Sequence, residues 1–444
     1  MQSVLDTLIG DWNLTQSAQA VRLYRRLTMI FTALIVVAAV TGSIIPAGLG
    51  WDFANFYDTG RRVAVWQIND LYNPGSLING AAPQGGLAFW GTPISALLYA
   101  PLGFLSAETA LLFFKLQNTF ALFAALWLLY SHNRKFAEPA GPGQWQFTAL
   151  FAGLALLYQP FWSVYRVGGQ TTPTVFLLLT MALIGHVRER LWLSSACVVA
   201  AILIKPAFVF ALIPLSLVSG WKYLRNTAII LAGTGLASVV ILGWQVHLQF
   251  LQVMLRGLKN AYPWFYNSSL YVTAENLKLL ATPTVGPRVV GIPVLMVKLL
   301  MLALFVYLIW QSRKQKLNAT ARRHFEFLMA VTFCLLVSQT VWEHYLSILF
   351  LLLAYVVAAY RHFSRSALWL IAAIFVLSLG QNLILINLLR SVHNFDSIPG
   401  LVFIGLFKSS PLLLTAIFLW RHWREFFNSY LGSGWMHMQP VKEK

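Results

Sequence analysis

Leu27–Gly50 reads LTMIFTALIVVAAVTGSIIPAGLG, carries no charge, and runs through Trp51 into Asp52-Phe53-Ala54-Asn55-Phe56-Tyr57. An apolar run of about 20 residues is enough to cross the hydrocarbon core of a bilayer as a helix. Arg22, Arg25 and Arg26 lie just before it and a carboxylate just after it. Basic residues stay on the cytoplasmic side, so the run reads as a first transmembrane span, with Asp52 on its outer side. Met1–Arg26 holds no apolar core ending in a cleavage site, so the span reads as a signal anchor. Trp12–Ile30 is expected to begin as a surface helix feeding into it.

The rest of the chain has the same character. Hydrophobic residues make up 58% of its 444 residues and charged residues 10%, where soluble domains carry roughly a quarter. Mean hydropathy is +0.67. The expectation is an all-α polytopic membrane protein forming one domain over residues 1–444, with ordered outer loops at 52–106 and 246–290. The net charge of +18 does not point to nucleic acid. Its cations fall in clusters between apolar runs: Arg134/Lys135, Arg188/Arg190, Lys222/Arg225, Arg313–Arg323, Arg361/Arg365 and Arg421/Arg424. That is the positive-inside pattern, and it makes anionic membrane lipid the natural partner. Cys197 and Cys334 both sit in apolar runs and read as packing residues, with no disulfide or metal spacing.

About twelve spans are expected, at 27–50, 107–130, 146–162, 172–187, 191–204, 206–219, 227–246, 291–310, 325–341, 345–360, 367–389 and 400–420, with both termini cytoplasmic. Lys205-Pro206 divides two short runs, because proline removes a helix donor and disfavours helix in the residue before it. A short hairpin through 191–219 keeps Lys222 and Arg225 inside; a single pass would put them outside. Phe89–Leu105, broken by Pro93 and Pro101, reads as a helix on or dipping into the outer surface. Ser106 then caps the next span, with Glu108 in its first turn.

The outer face collects the unusual residues. Phe53, Phe56, Tyr57, Val63 and Ala64 share a helical face near Arg61 and Arg62, and Leu248, Leu251, Met254, Leu255 and Leu258 repeat the pattern. Such interfacial helices either shape a cleft or plug a loop against the bilayer. Ionisable groups within membrane segments are costly and default to a functional reading. Lys115, Lys205, Lys298 and Lys408 fall toward the outer side, as do Glu343 and His344 of Trp342-Glu343-His344-Tyr345. Each lysine alone could snorkel to the headgroups; together they suggest a cationic pocket for a lipid phosphate. His344 is a packed histidine or a functional one. Val167-Gly168-Gly169-Gln170-Thr171-Thr172-Pro173 and Tyr266-Asn267-Ser268-Ser269-Leu270 supply amides and hydroxyls suited to a hydroxyl-rich substrate, or to satisfied turns. Asn267-Ser268-Ser269 also fits the short N-glycosylation pattern.

Five stretches, in order, resemble glycosyltransferase family 87, a group of C-type integral membrane glycosyltransferases (GT-C fold). They are Asp52-Phe53-x-x-Phe56-Tyr57 with Leu71-Tyr72-Asn73-Pro74; Pro93–Pro101 with Ala100-Pro101-Leu102; Gly169-Gln170; Ile204-Lys205-Pro206; and Glu343-His344-Tyr345. They span residues 27 to about 360. Gly91-Thr92-Pro93 stands where a Tyr-Pro-Pro type sequence is common in the family, and Thr171 where Asn or an apolar residue is frequent. The resemblance implies a polyprenyl-phosphate sugar donor, most often mannose, and a glycolipid or glycan acceptor. It maps a proposed general base onto Asp52 and the late-motif histidine onto His344. The expected mechanism is an inverting displacement at the outer face of the plasma (inner) membrane, the periplasmic or exterior side. Lys205, His344 and one of Lys298 or Lys408 would hold the phosphate, and Gln170 and Asn267 would contact sugar hydroxyls. Tyr57 and Glu343, inside the same motifs, join them as substrate-binding candidates. No cofactor is expected beyond the lipid-linked co-substrate. No Asp-x-Asp pair occurs in the chain, so metal independence is expected too. The rival readings are a secondary transporter or flippase for lipid-linked sugars, and a ligase that moves whole glycans.

Overall fold

The computed structural model describes residues 18–44, 51–72, 89–136, 142–166, 169–259, 267–274, 287–379 and 398–432. Every regular element among them is helical. Asn73, Pro74, Gly168 and Tyr266 fall outside the described residues, as does most of the expected surface segment before Ala18.

The chain opens with α1 (Ala18–Ile44) and the surface helix α2 (Trp51–Ala64). Next come a short apolar helix α3 (Pro93–Gly103) and α4 (Ala107–Asn133). Ser106 caps α4 by accepting from the Thr109 amide at 3.4 Å, and Glu108 lies in its first turn. Then follow α5 (Pro142–Leu157), α6 (Gln159–Arg166), α7 (Thr172–Val187) and α8 (Leu191–Ile204). The boundaries of α7 and α8 coincide with those expected from the sequence.

Lys205 is extended, and a 3-10 stretch Pro206–Ala211 leads into α9 (Leu212–Leu242). The chain reverses within α9 at Gly220, whose φ is +77°. Ser219 and Tyr223 both lie against His186, at the far end of α7 from Gln170, while Leu242 returns to pack in the cluster that holds Phe53. Residues 206–219 and 221–242 therefore run down and back, as the hairpin reading requires.

The remaining helices are α10 (Trp244–Lys259), α11 (Pro287–Lys314), α12 (Ala319–Val337), α13 (Phe350–Ala358), α14 (Arg365–Leu379) and α15 (Ile398–Gly432). The central pair, α12 and α13, is buried on almost every side; the sequence of α13 is apolar all round, as such burial requires, whereas α12 carries Arg322, Arg323, His324 and Glu326 in its first half.

By length and composition, five described helices are able to cross a membrane, or six if the pair bent by 42° at α5–α6 counts as one span. The sequence suggested about twelve. The difference lies in four apolar helices of 10–17 residues (α7, α8, Glu343–Ala358 and α14), in α12, and in Pro206–Leu242, which counts once where two spans were expected. At 1.5 Å per residue, α7 is about 24 Å long, short of the ~30 Å core. The basic clusters expected on one side do meet: Arg323 pairs with Glu189 at 2.8 Å, and Lys135 and Arg188 lie near one another around His132.

The opposite end of the bundle carries a layer made by α2 and α3. Periodicity placed the apolar face of α2 in the bilayer interface. The structure places it on protein instead. Phe53 and Tyr57 are buried with Tyr99, Leu102 and Phe114, and Phe56 stacks on Tyr99 with ring centroids 4.9 Å apart. Aromatic pairs of this kind add about 0.5–1.5 kcal/mol each beyond their area. The crossing is close because both helices present glycine. A Cβ on Gly60 would lie 2.2 Å from the Tyr99 carbonyl oxygen, and one on Gly103 2.4 Å from the Gly60 oxygen. Gly60→Ala is therefore expected to destabilise the protein by about 1–3 kcal/mol, lowering its unfolding temperature in detergent. Gly233→Ala, which has nothing within 4 Å, serves as the silent control.

Candidate functional site

Asp52 lies in the first turn of α2, fixed by the burial of its neighbour Phe53. Gly169 lets a second segment reach it. With φ +95° it adopts a backbone that other residues rarely take, and a Cβ there would touch the Phe114 ring at 3.0 Å. Gly169 thus rests on Phe114 and Phe53, and the next residue, Gln170, hydrogen-bonds the Asp52 carboxylate. The same amide accepts from Lys205 Nζ at 2.9 Å. Because the Gln170 oxygen faces an ammonium, which only donates, its NH2 group is the end left for the carboxylate.

Lys205 occupies the extended break between α8 and the 3-10 stretch, where a following proline denies it a helical conformation. Thr92 closes the break from above, with both its amide and its hydroxyl donating to the Leu203 carbonyl, at 3.2 and 2.8 Å. The ammonium lies 3.5 Å from His344 Nε2 and 4.6 Å from the centre of the Tyr345 ring. A protonated lysine offers only donors, so Nε2 of His344 accepts and Nδ1 carries its proton. His344 stands on the 3-10 turn Glu343–Leu349, which Tyr158 holds by donating to the Leu346 carbonyl at 2.7 Å. Four separate parts of the chain thus form one polar line, Asp52–Gln170–Lys205–His344, among aromatic walls.

The electrostatics follow from burial. Desolvation pushes the Asp52 carboxyl above the ordinary carboxylate range; the Gln170 hydrogen bond and the Lys205 charge act against that rise. A base works only when ionised, so any rate that depends on Asp52 should rise with pH through a value above the ordinary carboxylate range. Gln170→Leu removes an interaction that favours the carboxylate. The acid-side limb of the pH–kcat profile is therefore expected to move to higher pH in this variant. A limb left in place would detach Gln170 from Asp52.

Other candidates from the sequence are placed elsewhere. The Tyr57 hydroxyl donates to the Leu105 carbonyl at 2.7 Å and ties α2 to the start of α4. Asn267 is fully buried and engaged at both ends of its amide. It donates to the Gln339 carbonyl at 2.9 Å, and its oxygen accepts from the Ser269 and Val341 amides at 2.9 and 3.1 Å. It braces the strand-like run that leads into His344. That geometry leaves no exposed amide nitrogen for a glycan, so the glycosylation motif is sterically closed. Lys298 lies over the Tyr271 ring at 5.6 Å. Lys408 is buried on α15, one turn beyond Gly405, which packs against Thr273. Both therefore border the 267–274 segment. Glu343 is half-buried at the start of the 3-10 turn, and Lys115 is buried within α4. Sequence reasoning quoted Thr171, Thr172 and Tyr345 inside its motifs but gave none of them a role of its own; the hydroxyls of the Val167–Pro173 stretch were the signal for the threonines.

Both cysteines are free and buried, as their apolar surroundings suggest. No curated protein matches the chain. The model for glycosyltransferase family 87 matches residues 89–339. That stretch is more than half of the chain and includes Gln170, Lys205 and the Asn267 brace. On the family match and the helical membrane architecture together, the chain belongs to glycosyltransferase family 87 and is a membrane glycosyltransferase.

Proposed function

We propose that this enzyme moves a single sugar, most often mannose in the family it resembles, from a polyprenyl-phosphate donor to a hydroxyl of a glycolipid or polysaccharide at the outer membrane face. The observation that carries this reading is the Asp52–Gln170–Lys205–His344 line, which sets a carboxylate and a buried cation on the two ends of one amide. Glycosyl transfer from a lipid phosphate needs that pair. The acceptor oxygen attacks the anomeric carbon, and its proton passes to Asp52. The bond from the anomeric carbon to the phosphate oxygen breaks, and its electron pair leaves on the phosphate. Lys205 offers that oxygen a fixed positive charge in a site shielded from water, where such charge acts strongly. His344 orients Lys205, while Tyr57 and Asn267 frame the site. A single carboxylate placed for proton removal favours one direct, inverting displacement.

Placement outside the cytoplasm is supported by the meeting of the basic clusters at the other end of α7. Helices shorter than the bilayer core end at the site, which suits a reaction drawing its donor from within the lipid. Metal independence belongs to the same reading. Activity is expected to be unchanged by EDTA, and loss restored by a divalent ion would refute it. The test of the whole is sugar transfer by the purified protein from synthetic short-chain polyprenyl-phosphate mannose to a panel of mannoside acceptors. A mannosylated product supports the reading. Tight donor binding without product, followed by lipid movement in a liposome flipping assay, would replace it with transport.

A further inference from the structure

The threonines at the start of α7 divide into two groups. Thr174 donates to Asn118 Oδ1 at 3.2 Å, and Thr180 donates to the Phe176 carbonyl at 2.8 Å. Thr171 and Thr172 are only 4% and 1% exposed, yet neither hydroxyl has a hydrogen-bond partner among the described residues. Thr171 occupies the N-cap position, where a threonine ordinarily accepts from an amide of the first turn; here no such bond forms. A buried hydroxyl without a partner is destabilising. Replacing it by an apolar group of like shape would improve the resting protein. Two such hydroxyls side by side, directly after Gln170, have a physical rationale if a ligand completes them.

The surroundings define the ligand. The positive end of the α7 dipole lies at these residues, and α7 is long enough, at 16 residues, to have a developed one. Gln170, the preceding residue, holds the Lys205 ammonium. Helix N-terminus, hydroxyl donors and a lysine point charge are together the features that take phosphate oxygens. We infer that the Thr171 and Thr172 hydroxyls, at the N-terminus of α7 beside Lys205, bind the phosphate of the donor. This rests on the polyprenyl-phosphate reading of the donor and deepens it. The intact donor is a phosphodiester with one negative charge. The departing lipid phosphate is a monoester whose second pKa is near 6, so it leaves close to doubly charged. Hydroxyl donors fixed at that oxygen favour the departing form over the bound donor, and so assist bond breaking as well as binding.

The test uses the full chain in nanodiscs, comparing the wild type with T171V/T172V and T171S/T172S. Binding of short-chain polyprenyl phosphate is measured by titration calorimetry, with polyprenol and inorganic phosphate as the other probes. A hydrogen bond to a charged group corresponds to roughly a tenfold change in affinity. T171V/T172V is expected to bind polyprenyl phosphate at least about tenfold more weakly, and to unfold at the wild-type temperature or above it. T171S/T172S is expected to stay within about threefold of the wild type. Competition by inorganic phosphate in the wild type but not in T171V/T172V would show that the phosphate alone is recognised, without its lipid. Equal binding by the wild type and T171V/T172V overturns the inference. So does equal loss in the valine and serine variants, or a wild type that binds polyprenol as well as polyprenyl phosphate. If phosphate binding depends on the threonines but polyprenyl-phosphate mannose yields no transfer, the sugar-donor reading fails and the phosphate site stands.

Discussion

Asp52→Asn is expected to insert and fold as the wild type does and to lose sugar transfer by about 10²–10⁴-fold, the usual range for a removed general base. The substitution keeps the side chain's shape at the start of α2 and keeps an oxygen facing Gln170. What it removes is the negative charge and the capacity to take a proton. A change at a helix N-terminus typically costs about 1 kcal/mol and up to about 2, too little to unfold the layer built on Phe53, Tyr57 and Phe114. Unfolding temperature and transfer rate measured on one preparation separate the two effects. Unchanged turnover would remove Asp52 from the chemistry, and a parallel loss of folding would make it a structural cap.

Lys205→Met is the second large effect. Methionine fills nearly the same volume in the crevice of Gln170, His344 and Tyr345, so packing is largely kept. The charge beside the departing phosphate is lost, and kcat is expected to fall about 10²–10³-fold. A second consequence separates this role from simple packing. The Lys205 charge lowers the pKa of Asp52, so its removal should also carry the acid-side limb of the pH profile upward. Lys205→Arg is not expected to rescue, because a planar fork does not fit a site shaped for a compact ammonium. Wild-type kcat with an unmoved pH limb in Lys205→Met would exclude the lysine from both roles.

Some of this architecture could be read directly from the chain because it depends on local rules. α7 and α8 begin and end where hydropathy and the turn residues put them, and the break at Lys205-Pro206 follows from proline's ring. The Ser106 cap follows from side-chain chemistry within one turn. The surface helix α2 was legible as a helix, but the environment of its apolar face was not. A row of Phe and Tyr looks the same in sequence whether it faces lipid or, as here, the rings of Tyr99 and Phe114. The number of spans was not fixed by the sequence for a related reason. Apolar stretches of 10–17 residues are long enough to register as membrane segments and too short to be told from buried half-crossings.

The site divides along the same line. Sequence alone determined the membrane class, the ends of α7 and α8, and the residue types at Asp52, Gln170, Lys205 and His344, since hydropathy, proline and glycine act over a few neighbours. Only the tertiary structure decided that these four meet, with Lys205 reaching across 35 residues to Gln170 and 139 to His344. It also decided that Asn267 and Tyr57 hydrogen-bond the backbone, and that Lys298 lies over Tyr271 and Lys408 one turn from the Gly405–Thr273 contact. The physical reason is that a polar side chain in a membrane protein takes its role from whatever partner lies within about 3 Å, and helix packing chooses that partner over sequence distances that no local pattern records.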